Sequence, residues 1–566
     1  MSRYVAIRSE GGLIPFDTID KILAEELPGQ KPADFNLPKG RRVGDEISRA
    51  WSDALDYWRI FKRRVEGLDA DDLGTTITRR WVAELLSDLV GYEQLTLQRA
   101  GSQVGGKLYP ISHRAGEGEE APPVHIVGFR QSLDRRDESG HRRMSPQAVV
   151  QEYLNRSEHL WGVVTNGVRL RLLRDTTRIA RPTYLEFDLQ SIFEGGRYNE
   201  FAVFYRLCHR TRLPKTVGDA PSCLVEQYYQ ASIDEGTRIR DRLRDGVEEA
   251  LKILGNGFLR HPASDRLRQR VRTSELTAAE YYRQLLRLIY RLLFLMVAEE
   301  RQLITVAPGP GAERRQRVYD EHYSLRRLRN LAEQPIEESP YGDLWVGLQR
   351  TFGVFTNGQE NPLGMRPLDG DLFGPTAIPD LEQTGLSNHE LLLALRRLSV
   401  FREAGAVVRV NYAGLDVEEL GSVYESLLDY HPVVGRQNGI LTFDLLEGME
   451  RKSTGSYYTP RELVGELVDS ALVPVLEGRL ARAKTPEEKE QAILELTVCD
   501  PASGSGHFLL AAARRMAREL AKIRTGEEEP TPDDFRKALR DIIRTCLYAV
   551  DLNPLAVDLC KLALWI

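Results

Sequence analysis

The stretch Leu496 to Leu510, LTVCDPASGSGHFLL, narrows the folds open to this chain more than any other. An apolar run ends in Asp500, gives way to Pro501, Ala502, Ser503, Gly504, Ser505 and Gly506, and resumes at Phe508, Leu509 and Leu510 ahead of an alanine-rich segment. That order spells a strand, a tight turn and a helix start. Residues without bulk at the turn let a ligand approach the backbone where a buried strand meets a helix N-terminus. Downstream, LYAVDLNPLAVDLCKLALWI repeats the pattern, with Asp551 at a strand end and a helix from about Leu555. Two such units open a doubly wound α/β sheet, whose ligands sit outside the carboxyl ends of the strands.

A glycine-rich turn alone is shared by dinucleotide enzymes, kinases and methyltransferases. The dinucleotide fingerprint asks for a third glycine, and after Gly504 and Gly506 that place is held by Leu509. The interval from Asp500 to Asp551 also exceeds the roughly 20 residues between glycine loop and ribose acid in dinucleotide folds. A polar insert, GEEEPTPDD, can lengthen the connection without altering the sheet. A nicotinamide oxidoreductase is therefore disfavoured.

DPASGSGHFLL resembles the S-adenosylmethionine loop of N6-adenine DNA methyltransferases, and TGSYYTP, Thr454 to Pro460, resembles the cofactor motif that precedes it in that family. AVDLNPLAVDLCKLALW resembles the segment carrying the family's ribose-binding acid. Together, in the family's order, the three motifs resemble the large methylases of type IIG restriction enzymes and of the BREX and DISARM phage-defence systems. They occupy only the last part of the chain. The resemblance implies S-adenosyl-L-methionine as cofactor, double-stranded DNA as partner, and site-specific methyl transfer to adenine N6 in a bacterial or archaeal restriction-modification or phage-defence system. Other defence-system subunits are further partners it allows.

Within that resemblance the cofactor's chemistry can be matched to residues. Its ribose diol suits a carboxylate accepting two hydrogen bonds, and Asp551, followed by Asn553, is the candidate. Its amino-acid end suits free backbone N–H groups and an acid at the glycine turn, offered by Gly504, Gly506 and Asp500, with Pro501, Ala502 and Phe508 completing the loop. The resemblance implies that Tyr457, Tyr458, Thr459 and Pro460 close over the methionine part. For Asp500 and Asp551 the plainer alternative is a strand-end or helix-capping acid. His507 reads as packing for the helix start, and Phe508 as core or a cofactor wall.

The family also carries Asn, Asp or Ser followed by Pro-Pro and an aromatic, which holds the amino group of the flipped adenine. No such tetrapeptide occurs here: the only adjacent prolines, Pro122 and Pro123, lie between Ala121 and Val124. No catalytic residue is assigned, and two strands of a parallel sheet leave apolar faces uncovered. The expectation is the front part of a longer methylase, with catalytic strands and a target-recognition domain beyond Ile566. The alternatives are a non-catalytic DNA-binding or scaffold subunit that keeps the methyltransferase fold, and a fused restriction-modification enzyme with an active N-terminal nuclease.

At 566 residues the chain needs several cores. The formal charge of −6 averages over 77 basic and 83 acidic residues, so it neither supports nor opposes nucleic-acid binding. Cys208, Cys223, Cys499, Cys546 and Cys560 form no CxxC pair and no zinc spacing, which fits buried thiols, no metal and a reducing cytoplasm. MSRYVAIRSEGG has no apolar signal core, and arginines interrupt the longest apolar run, around Leu285 to Ala298. A cytoplasmic protein is expected.

The expected fold class is multidomain α/β: a mixed α/β nuclease-like N-terminal domain, a helical middle, and the start of a Rossmann-like methyltransferase sheet. Residues 1–75 read as a helical segment, with Trp51, Leu55, Trp58 and Phe61 at helical spacing. Residues 76–215 read as α/β: a helix through Trp81, Leu85 and Leu89, strands at LYPIS and VHIVGF around the acidic loop RAGEGEEAPP, the helix SPQAVVQEYLN, and a hairpin turning at Asn166 and Gly167. This order resembles the nuclease-type domain at the front of many restriction enzymes. Such a site needs an acid on one strand and Glu-x-Lys on the next to hold a metal. Gly128, Phe129 and Arg130 stand where those residues are expected, and Glu117, Glu119 and Glu120 lie in the loop, so an inactive domain is expected. Residues 216–350 read as helical, with Arg314, Arg315, Arg317, Arg326, Arg327 and Arg329 either touching DNA backbone or forming a solvated, ion-paired face. Residues 351–450 read as a loop-rich connector with helices HELLLALRRLSVF and VEELGSVYESLLDY, a linker HPVVGRQNG and a strand GILTFDLL. Residues 451–566 are the cofactor-binding half of the methyltransferase domain.

Overall fold

Trp161–Thr165 and Arg169–Arg174 are β-branched and leucine-rich runs that meet at Asn166 and Gly167, and they form the centre of a seven-stranded sheet. Asn166 Oδ1 accepts from the Val168 and Arg169 amides, and Gly167 takes a φ of +78° where a Cβ would fall 2.8 Å from Thr78 Cγ2. Glycine is required at that corner by both conformation and space. Across the sheet the order is Ile7–Glu10, Tyr184–Asp188, Arg169–Arg174, Trp161–Thr165, Pro123–Ile126, His113–Arg114 and Thr96–Leu97. Every neighbouring pair is antiparallel except Pro123–Ile126 with Trp161–Thr165. That parallel pair is bridged by the helix Pro146–Arg156, N-capped by the Ser145 hydroxyl.

Alternation along the strands gives each face its own core. Val163, Leu172 and Phe187 join Trp58, Phe61, Trp81, Phe193 and Phe201 on one side, while Val164, Leu173 and Tyr184 join Tyr109, Tyr153 and Leu154 on the other.

The computed structural model describes residues 4–136, 144–176, 183–301, 303–356, 361–365, 367–368, 371–403, 406–412, 415, 421, 430–447 and 459–565. They fall into two compact units: Met1–Asp234 with Asp469–Thr497 and Ala511–Leu547, and Glu235–Val468 with Val498–Leu510 and Tyr548–Ile566. The sheet belongs to the first.

The second unit is built on Ala278–Glu300, a helix opened by a Thr277–Glu280 capping box and buried on almost every face. Leu285, Leu288, Leu292 and Leu295 pack with Leu251, Phe258, Trp345, Leu391 and Leu395 from surrounding helices. No helix among the described residues is long and apolar enough to cross a membrane.

Three local expectations need correction. Residues 1–75 are not helical throughout: Ile7–Glu10 pairs with Tyr184–Asp188, and the helix Val43–Glu66 shares the core of the sheet. LYPIS is not one strand, because Pro110 has no amide for a ladder; Lys107–Tyr109 and His113–Arg114 pair with different partners. HPVVGRQNG is not a linker. Tyr430–Gln437 is a strand paired in full register with Ile440–Glu447 through a two-residue turn, Asn438 at φ +52° and Gly439 at φ +81°. Asn-Gly is the strongest short hairpin signal, so the sequence carried this one openly. The segment VEELGSVYESLLDY lies mostly outside the described residues.

Candidate cofactor site

The strand Val498–Asp500 pairs with Leu547–Ala549. Val550 N donates to Asp500 O at 2.9 Å and Ser503 N to Val550 O at 3.0 Å, a slanted pattern that fits strands running in the same direction. Past the strand the chain turns at once. Asp500 Oδ1 accepts from the Ala502 amide at 3.1 Å, and Gly506 N donates to Ser503 O at 2.7 Å. The helix His507–Thr525 then opens with Leu510 N on Gly506 O.

Both glycines lie in the left-handed region, Gly504 at φ +51° and Gly506 at φ +87°. Gly506 is constrained twice over, because a Cβ there would stand 2.7 Å from Cys560 Sγ. Cys560 comes from the helix Pro554–Trp565 and is buried. Burial, reinforced by Asp500 and Asp551, pushes its thiol up to about 11, so a neutral sulfhydryl packs under the loop. Nothing in the sequence marked Cys560 as part of the site beyond its place on the inner side of that helix.

Asp551 links the two halves. Its Oδ2 accepts from Gly504 N at 2.9 Å, and its Oδ1 from Asn553 N at 2.8 Å, just ahead of the helix it introduces. Each carboxylate oxygen carries two lone-pair sites, so one on each remains for a pair of hydroxyls. Asp500 Oδ2 is buried with no hydrogen-bond partner. An unsatisfied buried carboxylate oxygen is costly, and an ammonium group satisfies it.

Asp500, Ala502, Gly504, Gly506, Asp551 and Asn553 are thus brought together. The amides of Gly504 and Gly506, expected to be free for a ligand, donate to Asp551 and Ser503 instead. Pro501 and Ala502 are exposed, Phe508 is half-buried, and Ser503 and Ser505 are buried. Thr459 and Pro460 lead into the helix Arg461–Leu467, whose Leu463 and Val464 amides bond Pro460 O. Tyr457 and Tyr458 lie outside the described residues.

In the first unit, Pro123–Ile126 and His113–Arg114 carry no acid, and Glu117, Glu119 and Glu120 are exposed. Among the described residues no group of three or more His, Cys, Asp or Glu could hold a metal ion. Arg114, fully buried, bonds only neutral groups: Ala121 O, Ser102 Oγ, Tyr153 Oη and His159 Nε2.

A strand, a glycine turn capped by one acid and a second acid beyond the next strand lie within residues 444–566, which match the family model of the N-6 DNA methylases. Among individual relatives, a Methanocaldococcus jannaschii protein that bears the name of a type II restriction enzyme and methyltransferase is 21% identical over 90% of this chain and 45% of its own length. The adenine-specific methyltransferase PglX of Streptomyces coelicolor is 34% identical over 16% of this chain and 7% of its own length. The chain therefore spans less than half the length of either relative. No solved structure gives a significant match.

Proposed function

We propose that this chain is the cofactor-binding part of a site-specific DNA methyltransferase that carries a methyl group from S-adenosyl-L-methionine to adenine N6 in a bacterial or archaeal restriction-modification or phage-defence system. The buried, unsatisfied Asp500 Oδ2 beside the Asp551 carboxylate carries the reading. Asp500 receives the ammonium end of the cofactor, Asp551 its ribose diol, and Asn553 holds Asp551 in place through its amide. Tyr457, Tyr458, Thr459 and Pro460 close over the methionine part, with Phe508 as a wall. The bound cofactor supplies an activated methyl group. In a DNA methylase the target base is turned out of the duplex and its amino nitrogen aligned with that methyl. The family's Pro-Pro-aromatic motif, which would hold the adenine, does not occur in this sequence, so that step needs residues other than those described.

A second reading is a DNA-binding or scaffold subunit that keeps the methyltransferase fold and binds the cofactor without transferring its methyl. Residues 76–215 are proposed to be a nuclease-like fold without nuclease activity, on the support of the crossover helix, the Asn166–Gly167 hairpin and acid-free strands. The proposed divisions after residues 75, 215, 350 and 450 follow the sequence.

Calorimetric titration with S-adenosylmethionine tests the site. Asp551→Ala should weaken binding at least about tenfold, the equivalent of two hydrogen bonds of ordinary strength. Unchanged affinity in a folded variant would overturn the ribose assignment. Labelled methyl transfer to duplex DNA, with N6-methyladenine in the digest, separates the enzyme from the scaffold.

A further inference from the structure

The six arginines between Glu313 and Asn330 do not share one role. Arg329 turns inward: it is fully buried, pairs with Glu300 and donates to Val410 O at 2.8 Å. Arg315 is spent on the carbonyl of Pro310. Arg326 and Arg327 lie on the exposed side of the helix Leu325–Glu333. Three carboxylates next to this helix are engaged elsewhere. Glu299 accepts the Leu325 and Arg326 amides, Glu300 takes Arg329, and Glu333 takes Arg409 at 3.2 Å. Among the described residues neither Arg326 nor Arg327 has a carboxylate in ion-pair contact.

The two open on a hollow of about 340 Å³ lined by Asp320, Glu321, Arg326, Arg327, Asn330 and Leu331. Asp320 is held by Gln316, and Glu321 lies beside His322, which leaves the arginines and the Asn330 amide as its open donors. Burial first, then Arg329 and Arg326 against Glu333 and Glu300, hold the Arg409 guanidinium below its usual range.

We propose that Arg326, Arg327 and Asn330 form a contact surface for the phosphate backbone of duplex DNA, outside the region matched by the methylase family model. The inference rests on the proposed action on DNA. Planar guanidinium forks without carboxylate partners match phosphate bidentately, and such contacts fix a protein on the duplex without reading its sequence.

The test is anisotropy titration of the full chain with a labelled random-sequence duplex across a range of salt concentrations, beside titration with S-adenosylmethionine. Arg326→Gln/Arg327→Gln should bind DNA more weakly and flatten the slope of log K against log salt by about two, near one for each phosphate no longer neutralised. Cofactor affinity and melting temperature should stay at wild type. Arg59→Gln/Arg63→Gln, an equal charge change on an exposed helix face of the other unit, should leave the slope unchanged. If both double variants alter the slope equally, or neither does, the surface is wrongly placed although DNA binding stands. If polyglutamate displaces the duplex at equal charge, the surface takes acidic polypeptide and the proposal falls. If the wild-type chain binds cofactor but no duplex, the action on DNA and this surface fall together.

Discussion

At the scale of single residues, the glycine loop is held as much from below as from within. Gly506 needs a positive φ, and the Cys560 thiol occupies the space a side chain would need. Gly506→Ala should weaken S-adenosylmethionine binding and destabilise the protein, since alanine at positive φ is strained and the methyl meets sulfur. Cys560→Ala should relieve the second cost and leave the first. A double-mutant cycle should therefore show coupling on the order of 1 kcal/mol, read by denaturant unfolding. Additive effects would mean that the contact is irrelevant. The sequence made Asp500, the two glycines and Asp551 readable because strand-turn-helix chemistry is local. It hid Cys560, whose role depends on a neighbour more than fifty residues away, and the commitment of the Gly504 and Gly506 amides, which only three-dimensional pairing reveals.

Among elements, the junction between sheet and long helix is a buried, charge-assisted contact of the first unit. Glu226, near the start of the helix Leu224–Arg260, is buried and accepts from Trp161 Nε1 at 2.9 Å and from Arg174 Nη2 at 2.8 Å. Burial opposes its ionisation, but Arg174, Gln230 and Trp161 outweigh that and hold its carboxyl below the usual range. Glu226→Ala should leave Arg174 and the Trp161 indole unpaired and cost about 3 kcal/mol, measured by urea unfolding. A loss under about 0.5 kcal/mol would show that solvent satisfies both donors. Element types were legible wherever one period ran unbroken: the helices at Trp58 and Leu285, and the Asn166–Gly167 hairpin, lie where hydropathy and turn chemistry agree. Ile7–Glu10 was missed because IRSE has no alternation of its own and becomes a strand through its distant partner. Tyr430–Gln437 was missed for another reason. Its pattern of half-exposed and exposed positions resembles a loop, although Asn438–Gly439 announced the turn.

For the molecule as a whole, acid should act first on the first unit. His113, His159 and His209, all buried there, are pushed down to about 4 by burial, helped by Arg79, Arg114 and Arg212 respectively. Each is neutral when folded and takes a proton near pH 6.5 when unfolded. The stability they contribute is complete above about pH 6.5 and is lost as pH falls toward about 4. Tryptophan fluorescence reports this unit, since Trp51, Trp58, Trp81 and Trp161 lie in it and only Trp345 and Trp565 elsewhere. The melting temperature should fall between about pH 6.5 and 5, above the range in which most carboxylates titrate, and glutamine at all three positions should flatten that part of the profile. A wild-type profile already flat there would count against the assignment. The pairing of Ile7–Glu10 with Tyr184–Asp188 also sets a clock on biosynthesis. The first strand leaves the ribosome long before its partner is made, and at 5–20 residues per second that wait is on the order of ten seconds or more. Throughout it, an edge-forming segment has nothing to pair with, so the nascent chain is most open to wrong partners before its first sheet can close.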